Sequence, residues 1–208
     1  TRLAATITWA GGVPSVTMSA GTHVGTVSSG NGWYRLLFEA EGVVVANVNR
    51  MTIQPASVQA QTGNLRIFGA QVENTPIPTS YIKTTGAAAQ RAAGYSVDAS
   101  RVKTGAHLKS IPAATNKAIR TVNFAEAVGA TTIAGWTKGG DAAFVLSVVS
   151  DPAELKAGGL HHIVHDGKVL KLDNSAGVAD GWVLNDGTMG TPGTASASVY
   201  WRGTGTGR

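Results

Sequence analysis

Hydrophobic positions in the first part of the chain come in short bursts broken by glycine and asparagine. Leu3-Ala-Ala-Thr-Ile-Thr-Trp9, Trp33-Tyr-Arg-Leu-Leu-Phe38, Val43 to Val48, Met51-Thr-Ile53 and Asn64-Leu-Arg-Ile-Phe-Gly-Ala-Gln-Val72 are rich in β-branched and aromatic residues. Such runs fit a pleated, half-buried surface. Gly11-Gly12, Ser29-Gly-Asn-Gly32 and Gly63-Asn64 punctuate them, and this spacing of strands and turns predicts a sandwich or barrel. Alternation puts Leu65 and Ile67 on one sheet face, Arg66 and Phe68 on the other.

Thr75-Pro-Ile-Pro-Thr-Ser-Tyr-Ile82 reads as extended, because each proline lacks a donor and biases its predecessor away from helix. Ala87–Ala93 has the composition of a short helix, too short to be stable alone. Strand patterns resume at Ile119–Phe124, Thr132–Trp136 and Ala143–Val149. His161-His-Ile-Val-His165, Asp166-Gly167 and Lys168-Val-Leu-Lys-Leu172 together predict a two-residue hairpin, since Asp-Gly tolerates positive φ. Asp151 followed by Pro152 predicts the start of one helical turn. The final Gly203-Thr-Gly-Thr-Gly-Arg208 is expected to be flexible. The fold class is therefore all-β, with a strand-rich unit over 1–86, a connector over 87–118 and a small β-rich domain over 119–208.

Composition narrows the function. Of the 208 residues only 14% are charged and none is cysteine, so neither disulfides nor thiolate chemistry can contribute. The longest apolar run, Gly42 to Ala46, is far below the roughly 20 residues of a membrane span, which argues against membrane insertion. The chain starts at Thr1 with no signal peptide and reads as a piece of something longer. The formal charge of +5 concentrates in 91–120, where six basic residues stand against Asp98 alone. No nucleic-acid motif accompanies that stretch, so it reads as solvated linker charge and no nucleic-acid partner is expected.

Two stretches resemble known proteins. Gly30-Asn-Gly-Trp-Tyr-Arg35, Gly69-Ala-Gln-Val-Glu73, Pro78-Thr-Ser-Tyr-Ile-Lys-Thr-Thr-Gly86 and Arg91-Ala-Ala93 resemble the lectin-like jelly roll of bacteriophage tail fibres and minor tail proteins. Phe68 stands where that family has Trp, Val72 for Leu and Lys83 for Pro. Ile119–Glu126, Ala134–Phe144, Gly158–Ile163 and Gly181–Leu184 resemble, more loosely, the segment that leads into the β-helix of phage tailspikes. The resemblance implies a jelly roll, incomplete here, followed by an entry-type domain without the enzymatic β-helix. It further implies a homotrimer in the virion tail, attached to other tail or baseplate proteins and facing bacterial surface polysaccharide.

Candidate chemistry is sparse. Trp33 and Tyr34 are adjacent on a strand and must face opposite ways, so one could stack on a sugar ring; packing of both is the plainer alternative. Trp9, Trp136, Trp182 and Trp201 face the same judgement. With Arg50 and Gln71, Trp33 and Tyr34 form the expected carbohydrate site. His161, His162 and His165 are the metal-like cluster, but on a strand His161 and His165 lie about 13 Å apart and cannot share an ion. No cofactor is implied. Glu39 and Glu41, or Asp141, Asp151 and Asp166, give no convincing acid–base pair, and no G-x-S-x-G or phosphate-binding glycine motif occurs. The expectation is a non-enzymatic tail segment that anchors the appendage or recognises host glycans. The alternatives are part of a polysaccharide-degrading tailspike or the binding module of a secreted glycanase, and a purely structural adaptor.

Overall fold

The computed structural model of the chain describes residues 3–43, 51–54, 64–73, 75, 78–92, 94–98, 107–111, 114–118, 121–122, 124–176, 181–185, 193–204 and 206–207. It is built of antiparallel strands, with a single short helix among the described residues. Strands β1 (Ala4–Ala10), β2 (Val13–Ala20), β3 (Thr22–Gly30) and β4 (Trp33–Val43) follow one another through tight glycine turns. Then come β5 (Met51–Ile53), β6 (Asn64–Glu73), β7 (Ala89–Arg91), β8 (Gly94–Asp98), β9 (His107–Ile111) and β10 (Ala114–Asn116). The remainder comprises β11 (Trp136–Gly140), β12 (Val145–Ser150), α1 (Pro152–Ala157), β13 (Lys168–Asp173), β14 (Gly181–Asn185), β15 (Gly193–Thr204) and β16 (Thr206–Gly207).

The organising element is a six-stranded sheet in the order β12-β13-β6-β15-β4-β3. It draws strands from both sides of the 86 and 118 boundaries set out above, and β15 sits hydrogen-bonded between β4 and β6. One face carries Leu36, Phe38, Leu65, Ile67, Ala70, Leu146, Val148, Leu170, Leu172, Val199 and Trp201 into the main core. Ile7 and Trp9 from the β16-β1-β2 sheet and Ile53, Trp136 and Val183 from the β11-β14-β5 sheet pack against them. The opposite face buries Trp33, Phe68, Val169 and Tyr200 beneath α1 and the turn that follows it, through Leu155, Leu160 and Val164.

The expected alternation at Leu65–Phe68 is observed, and it then breaks. Ala70 and Val72 continue the main-core face while Gln71 and Glu73 continue the other, so one residue is extra. Gly69 is that residue: its φ is +62° and the β15 register shifts between Ser198 and Tyr200 opposite it. The bulge frees the Gly69 N–H to donate to Thr121 O at 2.8 Å, which ties Thr121 to the sheet.

Several local expectations are corrected. Residues 161–167 form turns, not a strand; β13 pairs instead with β12, which lies before α1. Gly167 does take positive φ (+66°), but its carbonyl accepts from Asp151 N–H, closing the loop around α1. Where composition allowed a short helix over 87–93, the described residues 87–92 form bends and β7, which pairs with β10. Thr121, Val122 and Phe124 are buried without being strand. The glycine-rich end is tied down rather than loose: Gly203 and Thr204 pair with Leu65 and Asn64, and β16 pairs with β1. The expected strand over 44–48 lies outside the described residues.

Candidate functional site

The residues that carried the resemblance converge on one side of the six-stranded sheet. Gly30, Asn31 and Gly32 all have positive φ (88°, 49° and 76°), a tight reversal that only glycine and asparagine adopt at little cost. This turn seats the C-terminal end of α1, where a Cβ on Gly158 would lie 3.1 Å from Gly30 O and 3.2 Å from the Trp33 ring. Trp33 is fully buried there, edge-on to Phe68, with ring centroids 5.1 Å apart. Phe68 stacks in turn on Tyr200 at 4.7 Å.

Beyond these rings the same face turns polar. Glu73, 1% exposed, accepts from Gln71 Nε2 at 2.7 Å, from Thr79 N–H at 2.7 Å and from Thr79 Oγ1 at 2.6 Å. Gln71 Oε1 accepts from Ile82 N–H at 2.7 Å. Arg35 donates through Nη2 to Thr79 O at 2.7 Å and to Ser198 Oγ at 2.8 Å. Burial presses its guanidinium below the ordinary value, opposed by the neighbouring Tyr200 and Glu73. Buried Asn116 donates to Ala70 O and Ile82 O and accepts from Val72 N–H. Tyr81 bonds Thr121 Oγ1 at 2.7 Å, and burial pushes its phenol well up. The Pro78–Gly86 segment is thus clasped onto the sheet by side chains from three separate strands.

This arrangement fixes where the residues of the sequence-predicted sugar site lie. Trp33 and Gln71 share a face but are both fully buried, so neither offers a surface to a ligand. Tyr34 points the opposite way, half-buried against the main core and edge-on to Trp9 at 5.9 Å. Arg50 lies outside the described residues. His161, His162 and His165 stand exposed in the turns after α1, and the described residues hold no group of three metal-ligating side chains.

Among the four further tryptophans weighed in the sequence, one stands apart. Four of the five tryptophans are buried, and Trp182 is the exception. It lies on β14 directly opposite Gly139 of β11, and its six-membered ring crosses the place a Cβ would take: that atom would sit 2.2 Å from Cζ2. The neighbouring pair Gly140–Gly181 does the converse, making room on the core side for Phe144. Trp182 therefore lies against the outer face of the small β11-β14-β5 sheet. Cross-strand pairing places Thr137, Leu184 and Thr52 on the same face, the two threonines exposed and Leu184 between them buried. No local pattern marks this ring, because its partner glycine comes from pairing across more than forty residues. Comparison with family models, curated proteins and solved structures finds no match to this chain.

Proposed function

We propose that this chain is a non-enzymatic structural and adhesive segment of a bacteriophage tail fibre or tailspike. In this reading it forms a jelly-roll-based homotrimer in the virion, attached to other tail or baseplate proteins, and recognises bacterial surface glycans. One observation carries the proposal. Three segments of the first resemblance, 30–35, 69–73 and 78–86, meet in space, where Arg35, Gln71, Glu73 and Thr79 bond one another or the same covering segment. Motif residues scattered over 30–91 that form one clasp behave as the signature of a shared architecture. Symmetric copies would then turn weak single-site binding into useful avidity.

Light scattering tests the assembly: a species near 64 kDa is expected, three times the 21.2 kDa chain, and a monomer at working concentration counts against the appendage. A glycan array tests the adhesive role, with binding to bacterial surface oligosaccharides as the expected result. Release of reducing sugar from capsular polysaccharide would overturn the non-enzymatic reading.

A further inference from the structure

We infer that the outer face of the β11-β14-β5 sheet is a sugar-stacking subsite, with Trp182 as its platform and the hydroxyl of Thr52 beside it. The inference rests on the glycan-binding reading above and assigns it a place that Trp33 and Gln71 cannot occupy.

Geometry favours this face over the others. An indole can stack on a pyranose only if one ring face is held flat and the other is accessible. Gly139 does the holding: with no Cβ, it lets the ring settle onto the β11 backbone, and any side chain there would lift it off. Trp182 joins none of the aromatic pairs among the described residues, in contrast to Trp9 and Trp33, and it stays partly exposed. A rigid ring set in a sheet gives up little conformational entropy on binding.

The chemistry of the face indicates the class of ligand. Thr52, Thr137, Gly139, Trp182 and Leu184 include no ionised group. Lys138, the nearest cation in β11, belongs to the opposite face and donates to Phe144 O at 2.7 Å. The ligand is therefore a neutral hexose unit with an apolar C–H face, flanked by a hydroxyl within reach of Thr52. An acidic sugar such as a uronic or sialic acid would find no countercharge on this face among the described residues.

The test uses an array of bacterial capsular and O-antigen oligosaccharides, followed by titration of the strongest neutral hit into wild type, Trp182→Ala and Trp182→Phe. Thermal melts establish that each variant is folded. The expected result is a roughly tenfold or greater affinity loss for Trp182→Ala and a smaller loss for Trp182→Phe, which still covers Gly139. N-bromosuccinimide should oxidise one indole rapidly in the free protein, and that indole should be protected by the bound oligosaccharide. If wild type binds a glycan and Trp182→Ala binds it equally well, the subsite is overturned while the adhesive reading stands. If wild type binds nothing on the array, the adhesive reading fails and the subsite falls with it.

Discussion

Arg66 and Arg202 stand directly opposite each other on β6 and β15, a like-charge pair that a sheet normally avoids. Each guanidinium is answered by a carboxylate at the start of α1. Asp151 Oδ2 lies 2.6 Å from Arg66 Nη1, and Glu154 Oε2 lies 2.7 Å from Arg202 Nη1, the latter an ion pair without hydrogen-bond alignment. Asp151, in the N-cap position, spends its carboxylate on Arg66 and makes no cap bond of its own. The six-residue helix is thereby docked by charge as well as by Leu155.

Removing these carboxylates should cost stability unequally. The Asp151 side chain is 7% exposed, so Asp151→Asn is expected to lose about 1–3 kcal/mol in urea unfolding. Glu154 is 37% exposed, and Glu154→Gln should lose no more than about 1 kcal/mol. Equal effects from the two variants would contradict this assignment.

Gly69 is predicted to be intolerant of substitution. An alanine there combines positive φ with a Cβ only 2.8 Å from Tyr200 Cδ2 and 3.3 Å from Tyr81. Gly69→Ala should therefore lower stability by about 2–4 kcal/mol and perturb the near-ultraviolet signal of the stacked Phe68–Tyr200 region. Gly129, also at positive φ but with open space around it, should pay only the conformational part, about 1 kcal/mol.

Glu73→Ala strips acceptors from Thr79 N–H, Thr79 Oγ1 and Gln71 Nε2 in a buried setting. The expected loss is about 2–4 kcal/mol, with faster hydrogen exchange at the Thr79 and Ile82 amides. Unchanged exchange at Thr79 would show that the clasp does not hold the segment.

Two pH limits follow from the titrating groups. At Asp173 burial opposes ionisation, but hydrogen bonds from Lys171 and Ser175 outweigh it and hold the carboxyl at about 2. A depressed folded value contributes stability above the ordinary 3.8 that is lost as pH falls towards 2. Asp173→Asn should flatten the acid limb of a stability–pH curve, modestly, since the carboxylate is only partly enclosed. At the other end, burial raises the phenols of Tyr81 and Tyr200, the former further. Their contribution is complete below the ordinary value of 10.0 and disappears as pH rises past it, so alkaline unfolding should accompany late tyrosinate absorbance.

The strands with strong local chemistry were legible in sequence. Trp33–Phe38 and Asn64–Val72 lie within β4 and β6, and the turn at Asp151-Pro152 begins α1. Strands β2 and β3 were not, because Val13–Ala20 and Thr22–Gly30 mix valine with serine, threonine and glycine on half-exposed edges. Asp166-Gly167 signalled a reversal correctly, yet the partner of β13 was decided by packing of Leu170 and Leu172 beside β12 and not by adjacency. The burial of Trp33 and Gln71 was illegible for a related reason. Period-two reasoning separated the faces of Trp33 and Tyr34, but could not tell which face would be roofed by α1 or which glycine would lie under Trp182.

The placement of β15 between β4 and β6 also has a consequence for how the protein comes into being. Of the six strands in that sheet, β15 is the last to leave the ribosome, and until it arrives β4 and β6 each present an open hydrogen-bonding edge. Ser198, the acceptor for Arg35, is missing for the same interval. The nascent chain can form β12–β13 and the β3–β4 hairpin as it emerges, but the sheet closes only by insertion of a strand made after the other five. Interruption of synthesis before Gly193 would leave a polypeptide with two exposed edges in its centre, a substrate for chaperones and proteases instead of a smaller stable module.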